Sequence, residues 1–162
     1  MSVIDAMIGV WKFNRARTLA TLDEIAGHQE SSAVLGWRPG DGRAHIAWQL
    51  MHIGITEELF ATERMRGESP NWPDLVPRFK GGSTPDDNIS DVGQVREVLA
   101  QSRSHLLEAA SQLSEADLQT IPEALKERGW TLETLFQIVA WHESHHQGQA
   151  HITLNLWKAS QA

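Results

Sequence analysis

Near the C-terminus, the segment Trp141-His142-Glu143-Ser144-His145-His146-Gln147-Gly148-Gln149 places two imidazoles, His142 and His146, four residues apart. On a helix, side chains at i and i+4 lie one above the other, about 5–6 Å apart at Cβ, so both rings can turn toward one ion. The same letters fit H-E-x-x-H, in which two histidines hold zinc and the glutamate is the general base of a metalloprotease. What should follow is missing. The extended protease pattern needs glycine at Gln149 and histidine at Ile152, and only 16 residues follow His146. No strand pattern offers an edge for an extended peptide. Glu143 stays as a candidate proton-transfer residue.

A third ligand must come from another element. Trp48, His52, Ile55 and Leu59 fall on one helical stripe, with His52 where the pattern calls for an aliphatic side chain. Two ligands on one helix and one on a second is how helical cores assemble metal sites. Left without an ion, three inward imidazoles would bury unsatisfied ring nitrogens at about 1–3 kcal/mol each. His52, His142 and His146 are therefore the candidate metal ligands. Neutral imidazoles suit zinc, nickel, iron or copper, with zinc or nickel foremost, rather than calcium or magnesium. His45 lies two turns from His52, about 10 Å along a helix axis, too far to share the ion. His28 and His151 read as surface residues, His105 as solvated, and His145 as a rim or supporting group.

The elements that must carry these residues all read as helices. Ile4, Met7, Ile8, Trp11, Thr18, Leu22 and Ile25 recur at steps of three and four, ending at Gly27. Asn14, Thr18 and Thr21 interrupt that stripe, which fits a polar cavity or a solvated edge, with the solvated edge the preferred reading. Residues 29–41 read as a turn-rich loop, with Asp41 capping a second helix of about 42–66. Residues 67–89 hold Pro70, Pro73, Pro77 and Pro85 with Gly81-Gly82, and no period survives. Such a long connection lets the third helix run parallel to the second, with Trp72 and Phe79 pinning it to the core. Ser90 is expected to cap a helix over 91–113, and Thr131 one reaching about Lys158. The expected architecture is all-α: a four-helix bundle, up-down-down-up, with a long crossover between helices 2 and 3, forming a single domain over 1–162.

Composition narrows the chemistry. The chain has no cysteine, so disulfides, thiolate ligands and a cysteine nucleophile are out, and any thiol must come from outside. A net charge of −7 argues against nucleic acid as a partner, because neutralising phosphates takes a basic face. No run of about 18 apolar residues is present to cross a membrane, and the N-terminus lacks a signal-peptide pattern. A cytoplasmic protein with a small-molecule substrate is expected. Seven tryptophans and no tyrosine could line a pocket, although at helical spacing they more commonly fill a core.

Trp48-Gln49-Leu50-Met51-His52-Ile53, the ending His142-x-x-x-His146-x-Gly148-Gln149, the proline-bearing crossover and Leu113-Ser114-Glu115-Ala116-Asp117-Leu118 together resemble the DinB/YfiT-like superfamily of four-helix-bundle metalloenzymes. The resemblance covers nearly the whole chain. It implies His52, His142 and His146 as ligands of a divalent transition metal, and a homodimer. It also implies chemistry: characterised relatives use low-molecular-weight thiols such as mycothiol, bacillithiol or glutathione. The expected function is a thiol-dependent S-transfer to a small electrophile, with the metal as Lewis acid. Hydrolysis by metal-activated water, and a non-catalytic stress-associated module with a structural metal, are the alternatives.

Overall fold

The structure, a computed structural model, describes residues 2–161; Met1 and Ala162, the ends of the expected 1–162 domain, lie outside it. The described residues form helices and turns, with no strand among them. Helix α1 (Val3–Ala26) starts from a capping box in which Ser2 Oγ accepts from Asp5 N at 2.9 Å and Asp5 accepts from Ser2 N. It stops at Gly27, as its spacing predicts. A short helix α2 (Ser31–Gly36) occupies part of the expected loop; one turn is too brief to show a period, and it forms because Val34 and Leu35 reach the core.

Helix α3 (Ile46–Leu59) is buried at every residue from Ile46 to Ile55, as befits a helix with neighbours on several sides. Its N-cap is His45 and not Asp41: His45 Nδ1 accepts from Trp48 N at 3.0 Å. An imidazole can cap when its Nδ1 lone pair is free, and His45 Nε2 faces the Asp86 carbonyl, which draws the proton to that nitrogen. Beyond Leu59 the chain widens into a π-helical turn, Phe60–Arg64, where the sequence suggested an unbroken helix.

The crossover carries helix α4 (Val76–Phe79) and is ordered by polar as well as apolar ties. Phe79 is buried, Trp72 packs against the core, and Asn71 N donates to the buried Glu58 at 2.9 Å. Helix α5 (Val92–Ser111) is capped by Asp91, whose Oδ1 accepts from Gln94 N at 2.8 Å; Ser90, the expected cap, is instead buried. Two 3-10 turns, Glu115–Gln119 and Glu123–Arg128, lead into helix α6 (Leu132–Ser160), capped by Thr131 as expected. No described helix is long and apolar enough to cross a membrane.

Cross-helix partners give the packing directions. Along α1 and α6 the pairs rise together: Trp11 with Phe136, Arg15 with Glu143, Thr21 with Gln147. Along α3 and α6 they oppose, Gln49 meeting His146 and His52 meeting His142. Along α3 and α5 they rise together again, Gly54 against Val98 and Glu58 with His105.

The apolar core is divided. Beside a small cluster of Leu125, Leu132 and Leu135, one large cluster contains Leu22, Ile55, Leu99 and Ala150, and the other contains Trp11, Ala61, Leu106 and Val139. Between the two, each long helix inserts a charged residue: Arg15 from α1, Glu57 from α3, Arg103 from α5 and Glu143 from α6. Arg15 reaches Glu143 at 2.6 Å and Glu57 at 2.7 Å, while Arg103 pairs with both carboxylates and donates to the Trp11 carbonyl at 2.6 Å. Burial would raise the Glu57 carboxyl, but the two guanidinium groups outweigh it and hold the group below the ordinary carboxylate range. Thr18, fully buried, donates to Glu143 at 2.8 Å, and the half-buried Asn14 donates to the Ala140 carbonyl. The polar residues of α1 are thus its seam with α6, not a solvated edge.

Candidate metal centre

His52, His142 and His146 come together beside this charged layer, each offering one ligand atom and all three atoms lying within 4.8 Å of one another. His52 Nε2 and His142 Nε2 face each other at 3.0 Å. Two imidazole nitrogens on a tetrahedral zinc, each about 2.0–2.1 Å from the metal, stand about 3.3–3.4 Å apart, so a small movement would bring this pair onto an ion. No aspartate or glutamate joins the group among the described residues.

Two of the rings have their outer nitrogen engaged. His52 Nδ1 lies 2.5 Å from the Phe79 carbonyl, and His146 Nδ1 lies 2.6 Å from Gln49 Oε1. Both partners are oxygens that can only accept, so each Nδ1 carries the proton and each Nε2 keeps its lone pair for the site. Trp48 stacks on His52 with centroids 4.6 Å apart and planes 13° from parallel, which fixes the ring's tilt. The crossover therefore contributes to the site: Phe79, buried in the core, holds the tautomer of His52.

Electrostatics favours the neutral, ligating form. Burial, reinforced by the neighbouring His52 and His145, pushes the His142 ring down to about 3. Burial, reinforced by His142, His52 and His145, pushes His146 to about 3 as well, and burial also lowers His52. Three uncharged imidazoles, two of them with inward lone pairs, in a chain without cysteine fit a divalent transition ion.

The histidines line a cavity of about 570 Å³, a size ordinary for a small-molecule site. Buried His52 and His142 form its base, and exposed Trp141, His145, Lys80 and Arg128 stand at its rim. Phe60, Leu125, Trp130 and Ile138 supply apolar wall. The π-helical turn serves this cavity directly, since Phe60, Glu63 and Arg64 all line it; π-turns inside helices occur commonly at functional sites.

Glu143 falls elsewhere. The residue after His142 is rotated about 100° around α6, and its carboxylate accepts from Arg15, Arg103 and Thr18 without lining the cavity. The proton-transfer role expected from H-E-x-x-H gives way to an ion-pairing one. His105, expected to be solvated, is half-buried with Nδ1 2.7 Å from Glu58 Oε2. His145 stands at the rim, stacked on Trp141 and 2.7 Å from Gln149 Nε2, while His151 is exposed and half-buried His28 packs edge-on against Trp157. The supporting roles of Gln49 and Phe79 were not read from the sequence. Gln49, a buried amide three residues before His52 on a helix otherwise rich in apolar residues, was the available signal.

An all-helical protein with three histidines at the base of an open cavity is the class that fold and site define. Within it, the chain belongs to the DinB superfamily, whose family profile matches residues 11–150. A solved structure described as a conserved protein of locus from Enterococcus faecalis superimposes with a TM-score of 0.77, covering 96% of this chain and 97% of its own at 16% identity. That likeness speaks to fold alone. No curated protein matches the chain.

Proposed function

We propose that this protein is a divalent-metal-dependent enzyme, an up-down-down-up four-helix bundle that transfers a small thiol to an electrophile bound in the cavity. One observation carries the reading: three imidazoles, two of them held in the ligating tautomer, stand together at a cavity, where an ion held by them would keep a position open. A structural metal is normally closed off by four protein ligands, whereas a catalytic one keeps a position free. Zinc or nickel suits the donor set best, with iron also accommodated. Bound there, such an ion would supply Lewis acidity that favours the thiolate form of an incoming thiol at neutral pH.

The chain's own residues do the rest. Phe79, Gln49 and Trp48 hold the ligand rings. Phe60, Trp130 and Ile138 offer apolar surface to an electrophile and keep water from competing for it. His145, whose ring centroid is 4.9 Å from that of His146, is the rim imidazole that would take the thiol proton on Nε2, exchanging its contact with the Gln149 amide, and pass it to solvent. A new sulfur–carbon bond forms, and the displaced group leaves with the electron pair of the bond that breaks. The exposed apolar residues Trp141, Ile152 and Leu156 on α6 and Val10 and Phe13 on α1 support a homodimer, and the absence of cysteine supports a cytoplasmic setting.

The test is elemental analysis of untagged protein, followed by a screen of thiols against electrophiles with His52→Ala as the control. About one divalent ion per chain and thiol consumption lost in the variant are expected. Protein devoid of metal, or a His52→Ala variant with full activity, refutes the reading.

A further inference from the structure

The cavity carries a charge pattern that the metal reading does not use. Arg64, Lys80 and Arg128 line it, against the single acid Glu63. They arrive from three separate segments: the π-helical turn after α3, the crossover just past α4, and the second 3-10 turn. None of the three makes an ion pair or a side-chain hydrogen bond within 3.5 Å with any described residue, although Arg128 lies over the Trp130 ring at 4.7 Å. Elsewhere the protein pairs its cations. Of fourteen lysines and arginines, Arg15, Arg38, Arg66, Arg78, Arg96, Arg103, Lys126 and Lys158 engage carboxylates. Half of the remaining six stand on this one cavity.

In a chain with net charge −7, a locally positive cavity runs against the overall field, so the reversal belongs to the site. Two of the cations are guanidinium groups, which grip carboxylates through paired N–H donors. Stacking on Trp130 holds Arg128 in place before a ligand arrives, reducing the ordering cost of binding. The apolar wall of Phe60, Trp130 and Ile138 lies in the same cavity. We propose that the cavity selects an organic carboxylate, its apolar body on the aromatic wall and its anionic end held by Arg64, Lys80 and Arg128. The proposal rests on reading this cavity as the substrate site, and it identifies the chemical class: the carboxylate belongs to the thiol or to the electrophile.

The experiment is calorimetric titration with matched pairs of an acid and an uncharged analogue at low and high salt. 4-Phenylbutyrate against 4-phenylbutyramide reports an electrophile-like body, and N-acetylcysteine against N-acetylcysteamine reports a thiol. Wild-type protein should bind at least one acid about tenfold more tightly than its uncharged partner, an advantage that shrinks as salt screens the rim. The larger advantage identifies which substrate carries the carboxylate. In R64Q/K80Q/R128Q the advantage should vanish while the uncharged ligands bind as before. K80Q/R128Q, altered only at exposed positions, should lose part of it and guards against a packing effect at Arg64. Equal binding of acid and uncharged partner in both pairs by wild-type protein overturns the proposal. So does an undiminished preference in the triple variant, which would assign it to the metal. Metal content of the same samples keeps the two readings apart: bound metal with no acid preference sinks only this proposal, and a rim-dependent preference in metal-free protein sinks only the metal enzyme.

Discussion

Replacing Glu143 with glutamine separates the two roles its sequence context suggests. In the structure its carboxylate accepts from Arg15 Nε at 2.6 Å, Arg103 Nη2 at 2.5 Å and Thr18 Oγ1 at 2.8 Å, with 1% of its surface exposed. Two buried guanidinium groups are balanced by two carboxylates, and the substitution leaves Glu57 alone against both. A glutamine can still accept from Arg15 and Thr18 through its oxygen, but its NH₂ then faces Arg103, donor against donor. Removing one partner of a buried pair costs about 3–5 kcal/mol, and the retained acceptor places the loss at the lower end, near 3 kcal/mol. For a chain of this length each kcal/mol moves the melting temperature by roughly 2–4 °C, so a fall of about 6–12 °C is expected. Urea unfolding should show the same loss with an unchanged denaturant slope. Zinc binding, measured well below the new midpoint, should stay within about threefold of wild type, because the carboxylate does not face the ligand nitrogens. A variant as stable as wild type but devoid of activity would refute this placement and return Glu143 to the role of base.

Three further outcomes follow from the site and its supports. Gln49→Ala removes the acceptor on His146 Nδ1 and should weaken metal binding about 10–100-fold while His146→Ala weakens it further; competition against a chromogenic chelator reads both, and an unchanged affinity in Gln49→Ala would show that the tautomer is held some other way. In metal-free protein His52, His142 and His146 are held neutral when folded but titrate near 6.5 when unfolded, so the stabilisation is full above about pH 6.5 and is lost as pH falls toward the folded values, about 3 for His142 and His146. At about 1.4 kcal/mol per pH unit per group, His142 and His146 together should lower the unfolding free energy by roughly 2–3 kcal/mol between pH 7 and 5.5, with His52 acting in the same direction, and a flat profile over that range would contradict the burial of the rings. Gly54→Ala would put a Cβ 2.7 Å from Val98 Cγ1, where α3 packs against α5; overpacking of about 1–3 kcal/mol should exceed the helix-propensity gain of about 1 kcal/mol, and Val98→Ala in the same chain should restore most of the loss in a thermal melt.

The sequence by itself determined where the long helices lie and which imidazoles share a face, because both are matters of period. Apolar residues at steps of three and four mark α1, α5 and α6, and i, i+4 spacing puts His142 and His146 together whatever surrounds them. Thr131 announced the start of α6, since a cap is a local bond. What period and propensity cannot carry is the meaning of a polar residue on an inward face. Thr18, Arg15, Glu57, Arg103 and Glu143 each look like an interruption of a stripe when read within one helix. Only packing four helices shows them as one neutral layer, since a charge is tolerable in a core only where an opposite charge from another element meets it. The same holds for His45, a cap by virtue of the distant Asp86 carbonyl, and for the tautomer of His52, set by a carbonyl 27 residues away. The histidines were legible from their spacing; which nitrogen each turns inward, and what gathers around the cavity they open onto, was decided by tertiary structure, because hydrogen-bond partners and charges distant in sequence become neighbours only on folding.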